Sequence, residues 1–109
     1  MSLRDQLIRH EGLRVKPYRD SVGKLTIGIG RNLDDNGISE TEALHLLDND
    51  IAAVRAEGMR HDWFRKLDPV RKDAILNMAF NMGWPRLLGF RQMIAAIERM
   101  DYEEAAREA

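Results

Sequence analysis

Glu11, Asp20 and Thr26 are the residues whose types and spacing suit the cleavage of a bond by an acid and a water. Glu11 directly precedes Gly12, a natural helix stop, so its carboxylate is expected at the carbonyl end of a helix, where the dipole disfavours negative charge and helps retain a proton. Asp20 follows in a segment of turn composition, Arg19-Asp20-Ser21-Val22-Gly23-Lys24, where backbone donors and solvent support the ionised form. Two carboxyls in surroundings that push their proton affinities apart suit a general acid paired with a base or electrostatic stabiliser. Thr26, on the polar side of the returning strand, offers a hydroxyl to hold a water between them. Gly28 and Gly30 share that side and leave a floor that a bulky ligand can approach. Taken singly, each residue has a plainer reading: a solvated helix-end charge, a turn former, ordinary strand composition. Only their conjunction points to a cleft.

Other candidates carry less. His10, His45 and His61 have no spacing that puts two on one helix face, so no metal site is expected, and nothing calls for a cofactor. Gly28-Ile29-Gly30 lacks the third glycine and following helix of a dinucleotide loop. Met78, Met82, Met93 and Met100 read most simply as core packing. Arg86, Arg91 and Arg99 read as a solvated helical face rather than a polyanion site.

The elements that must position the three residues follow from periodicity. Ser2 and Asp5 form a capping pair before Leu3, Leu7 and Ile8, predicting a helix over 3–11. From Val15 to Gly30 the period becomes two, predicting a β-hairpin that bends near Asp20, and Arg31 to Ile38 is expected as a loop. Ser39 with Glu42 is a second capping box, and Leu44, Leu47, Ile51 and Val54 predict a long connector helix to about residue 57, ended by Gly58. Asp68-Pro69 opens another helix with a cap and a proline at the first helical position, carrying Val70, Ala74, Ile75, Met78 and Met82, which Gly83-Trp84-Pro85 must break. Phe90, Met93, Ile94, Ile97 and Met100 make a further apolar stripe, and Asp101 with Glu104 caps a last helix without a stop signal before Ala109. The sequence thus reads as cut inside an element. The expected fold class is α+β: a small antiparallel β lobe joined by a long helix to a helical lobe.

Composition bounds the rest. A length of 109 residues allows one compact domain, and 44% hydrophobic with 32% charged residues excludes disorder. Seventeen basic against eighteen acidic residues, a formal charge of −1, create no global field for nucleic acid or an anionic membrane surface. A helical nucleic-acid binder built from 68–109 therefore has little support. There is no cysteine, so no disulfide framework or thiolate nucleophile is available. No stretch approaches the about 20 apolar residues needed to cross a bilayer.

The string Glu11-Gly12-Leu13-Arg14, Tyr18-Arg19-Asp20 and Leu25-Thr26-Ile27-Gly28-Ile29-Gly30 closely resembles the phage T4-type lysozymes, the endolysins of glycoside hydrolase family 24. Asp68-Pro69-Val70-Arg71-Lys72, Asn77-Met78-Ala79-Phe80-Asn81-Met82-Gly83 and Gly89-Phe90 resemble the same family's central helix and next turn. The resemblance implies a lysozyme-like single domain over 1–109, with 13–57 as β lobe and connector helix and 1–12 with 58–109 as helical lobe. It implies a cleft between the lobes and hydrolysis, with inversion, of the β-1,4 bond between N-acetylmuramic acid and N-acetylglucosamine in peptidoglycan. By position, Glu11 would protonate the leaving oxygen while Asp20 and Thr26 hold and activate water. Asn32, Phe80 and Met93 fall at saccharide-contacting positions.

Two departures from the family pattern matter. Arg31 stands where the family's best-known member has histidine, so a charged pair there would have a different partner. Family members also continue through further helices that supply an arginine to pair with the catalytic glutamate. The resemblance further implies synthesis in a host cytoplasm and action on the wall after the membrane is permeabilised, with no membrane insertion. The alternatives are an inactive peptidoglycan-binding or structural fragment, and self-association through an uncovered apolar face.

Overall fold

A computed structural model describes all 109 residues, which form eight helices and one three-stranded antiparallel sheet, an α+β architecture. The chain forms two compact units, Met1–Leu44 and His45–Ala109.

The first unit opens with α1, Leu3–Glu11, capped as expected: Ser2 Oγ accepts the Asp5 N–H at 3.1 Å, and Gly12, at φ 73°, stops the helix. The hairpin is β1, Arg14–Arg19, and β2, Leu25–Gly28, with Tyr18 opposite Thr26 and Arg19 opposite Leu25. The register slips between Arg14 and Tyr18. Pro17 lies in that slip on an edge strand, where a residue without N–H costs the ladder least.

The segment expected as a loop is instead structured. Arg31–Asn32 pairs with β2 as β3, and Leu33–Asn36 is a single helical turn, α2. Asn32 causes the change from strand to helix, because its Oδ1 accepts the Asp35 N–H at 3.0 Å while its Nδ2 donates to Asp35 Oδ2 at 2.9 Å. An Asn followed three residues later by an acid is a capping signal that the loop reading passed over.

The connector is α3, Glu40–Gly58, and the boundary between the units falls within it. Its capping box is reciprocal: Glu42 N–H reaches Ser39 Oγ at 3.1 Å and Ser39 N–H reaches Glu42 Oε1 at 2.9 Å. In the second unit follow α4, Asp62–Arg65; α5, Pro69–Met82; α6, Trp84–Leu88; α7, Arg91–Glu98; and α8, Tyr102–Glu108. Their core comprises Phe64, Leu67, Ile75, Leu76, Ala79, Trp84, Leu87, Met93, Ala96, Ile97 and Ala105.

Several expectations change here for local reasons. The short helices α4 and α6 were too brief to show a period. Gly83, at φ 85°, does break α5, but the chain restarts a helix at once, with Pro85 in the first turn where no N–H partner is needed. Asp68 gives no side-chain cap to α5; its carboxylate takes the Arg71 guanidinium at 2.8 Å instead. Met100 leaves the apolar stripe: it is 66% exposed at φ 60°, with its N–H on the Ile97 carbonyl and the Asp101 N–H on the Ala96 carbonyl. That is a Schellman ending for α7, with methionine in the left-handed position usually held by glycine. Gly58 is glycine for packing as well as position, since a Cβ there would meet ring atoms of Phe64 and Trp84 at 3.0 Å.

Candidate active site

Glu11 is the last residue of α1 and its side chain is exposed. It runs past the turn after β2 so closely that a Cβ on Gly30 would lie 3.2 Å from Glu11 Cγ and Oε2. Gly28 and Gly30, at φ 70° and 75°, shape the turn between β2 and β3. The close approach expected of a ligand at these glycines is thus made at Gly30 by Glu11 itself.

Asp20 sits in the hairpin bend. Its Oδ1 accepts the Val22 N–H at 3.0 Å and the Lys24 N–H at 2.8 Å, while its own N–H donates to the Lys24 carbonyl at 2.9 Å. The carboxylate is thereby fixed by one oxygen, and Oδ2 accepts from no protein group.

Thr26 does not lie on an open polar face. It occupies the central strand between Tyr18 and Asn32 and is 3% exposed. Its hydroxyl donates to the Lys24 carbonyl at 2.9 Å, the oxygen that also accepts the Asp20 N–H. With its proton given to that carbonyl, Thr26 Oγ1 is left as an acceptor. The Lys24 backbone therefore ties Asp20 and Thr26 into one rigid group.

Asn32 lies directly across the ladder from Thr26, but both ends of its amide engage Asp35. Phe80 and Met93 belong to the second unit. Phe80, on α5, is 47% exposed at a groove of about 410 Å³, shared with Leu47, Ile51, Asp73, Asn77 and Asn81. Met93, on α7, is 2% exposed within the core, so it presents no surface to a saccharide and its part is packing.

Arg31 finds its different partner in Glu42. Its NH1 lies 2.8 Å from Glu42 Oε1 and 3.2 Å from the Gly37 carbonyl, joining β3 to the first turn of α3. The Arg31 guanidinium, followed by the Ser39 backbone N–H, pulls the Glu42 carboxyl down to about 2. A carboxyl depressed in the folded state stabilises fully above the ordinary glutamate range and loses that contribution as pH falls toward about 2. Because the pair is exposed, the effect is modest. Glu42→Gln is expected to melt below the parent at neutral pH, with the gap closing as pH falls from about 4.5 toward about 2. Thermal melts followed by circular dichroism check this, and a gap independent of pH would count against the pair.

The family model of phage lysozymes matches residues 8–109. The chain belongs to the phage lysozyme family. It is 31% identical to the probable T4-type lysozyme 1 of Dictyostelium discoideum over 137 aligned positions, covering 98% of this chain and 81% of that protein. The probable T4-type lysozyme 2 of the same organism is 29% identical over the same shares. The pre-baseplate central spike protein of Enterobacteria phage T4 is 31% identical, with 96% of this chain matching 23% of that protein. All three alignments are longer than the chain, so these relatives carry extra residues within the matched span. Membership gives this phage lysozyme relative a lysozyme-like function of the glycoside hydrolase class.

Proposed function

We propose that the chain hydrolyses the β-1,4 bond between N-acetylmuramic acid and N-acetylglucosamine in peptidoglycan, with inversion at the anomeric carbon. The observation that supports this is the coupling of Asp20 and Thr26 through the Lys24 backbone, with Asp20 Oδ2 and Thr26 Oγ1 each accepting from no protein group; in this reading they hold the water. Glu11 gives its proton to the glycosidic oxygen as the C–O bond breaks. The water oxygen attacks the anomeric carbon from the opposite side and loses a proton to Asp20, while Thr26 accepts its second hydrogen and fixes its lone pair. Glu11 ends deprotonated and Asp20 protonated, and solvent exchange restores both.

By the family resemblance Asn32, whose amide is held by Asp35, and Phe80, whose ring is half exposed on α5, are each a saccharide contact. The phage affinity of the family supports bacterial wall lysis as the setting, with synthesis in a host cytoplasm and access to the wall after membrane permeabilisation. The test is digestion of purified peptidoglycan by the chain. Fragments ending in reducing N-acetylmuramic acid, released first as the α-anomer by proton NMR, are expected. Reducing N-acetylglucosamine ends would move the cut to the other bond, and anhydromuramic ends would remove water from the mechanism.

A further inference from the structure

Asp34 and Asp35 take no part in the chemistry just described, yet they hold the turn that carries it. Asp34 Oδ2 accepts the Leu25 N–H at 2.7 Å, the shortest of the hydrogen bonds around this turn, and lies 3.7 Å from Arg19 NH1. Asp35 Oδ1 takes the Lys24 ammonium at 3.1 Å, a pairing that raises the lysine above its ordinary range. Both carboxylates stand in α2, whose start is fixed by the Asn32 cap.

The Leu25 N–H and the Lys24 carbonyl are two edges of one planar peptide unit. On the carbonyl edge sit the Thr26 hydroxyl and the Asp20 N–H, each at 2.9 Å; on the amide edge sits Asp34. The orientation of this plane therefore sets the direction of the Thr26 hydroxyl and the lie of the Asp20 bend. A carboxylate drawing on the N–H also shifts charge toward the carbonyl oxygen and strengthens the bonds accepted there. Loss of Asp34 frees the plane to rotate.

We infer that Asp34 is a positioning residue for the hydrolytic water, acting through the Lys24–Leu25 peptide on Thr26 and Asp20. The inference rests on the proposed reading of those two residues as the water's holders. Asp34 touches neither of them directly.

The experiment compares the unaltered chain with Asp34→Ala and Asp34→Asn in steady-state hydrolysis of purified peptidoglycan, together with amide hydrogen exchange at Lys24 and Leu25 by NMR. Asp34→Ala is expected to lower kcat about ten- to a hundredfold with KM changed by less than about twofold, and to speed exchange at Leu25. Asp34→Asn keeps an uncharged acceptor for the N–H and is expected to fall between the two, about threefold or more below the parent. Should Asp34→Ala fail to fold, the asparagine variant decides alone: a parental kcat overturns the inference. Faster exchange at Leu25 with kcat unchanged also overturns it, while leaving the hydrolytic reading intact. No turnover by the unaltered chain, or turnover that survives Glu11→Gln, overturns the hydrolytic reading and the inference with it.

Discussion

Glu11→Gln is expected to slow peptidoglycan hydrolysis about 10²–10⁴-fold, the span usually lost with a positioned general acid. The amide has nearly the shape of the acid but no proton to give the leaving oxygen. Because Glu11 is exposed at the end of α1 and threads the space left by Gly30, an isosteric change preserves both contacts and fold. Initial rates on purified peptidoglycan and co-sedimentation with it separate the two effects: turnover is lost and binding stays. Clearing of outer-membrane-permeabilised Gram-negative cells is expected to vanish in parallel. A variant as fast as the parent would remove Glu11 from the mechanism. Binding without turnover in the unaltered chain would turn the reading to a wall-binding module.

Phe64→Ala is expected to cost about 3–5 kcal/mol, the usual result of emptying a large aromatic site that cannot collapse. Phe64 is wholly buried, edge-on to both Trp63 and Trp84 with ring centroids 6.2 and 6.0 Å away, and it meets Gly58 where any added atom would clash. Trp84 is held in turn by its indole N–H on the Val54 carbonyl at 3.0 Å, so it is not free to fill the void. Against a domain stability of about 5–15 kcal/mol, such a loss removes a large part of the margin. Urea unfolding followed by tryptophan fluorescence reports it directly, since Trp63 and Trp84 flank the site. A loss under about 1 kcal/mol would show that the second unit is not organised around this ring.

Much of the local structure was legible because it is written in short-range rules. Ser2 and Asp5, Ser39 and Glu42, and Asp101 and Glu104 are caps whose partners lie three residues apart, and all three form as read. The hairpin followed from its alternation, and the bend at Asp20 from turn composition. The misread places are those where local rules compete with distant ones. Asn32 is a strand residue, a helix cap and a neighbour of Thr26 at once. Met100 reads as apolar stripe by spacing but is spent on ending a helix. Phe64 and Leu87 are core residues that periodicity does not mark, because α4 and α6 are too short to show a buried face.

The sequence by itself determined the hairpin and the longer helices, the order of Glu11, Asp20 and Thr26, and the family those residues announce, because such features depend on side-chain type and on neighbours a few positions away. Only the tertiary structure decided that Gly30 makes room for Glu11, that Arg31 pairs with Glu42, and that Thr26 is buried with its proton on the Lys24 carbonyl. Likewise, only the fold brings Asp34 onto the far edge of that same peptide. These are contacts between segments that the strand register and the α2 turn bring together, and their direction is set by the orientation of single peptide planes, which no spacing along the chain encodes.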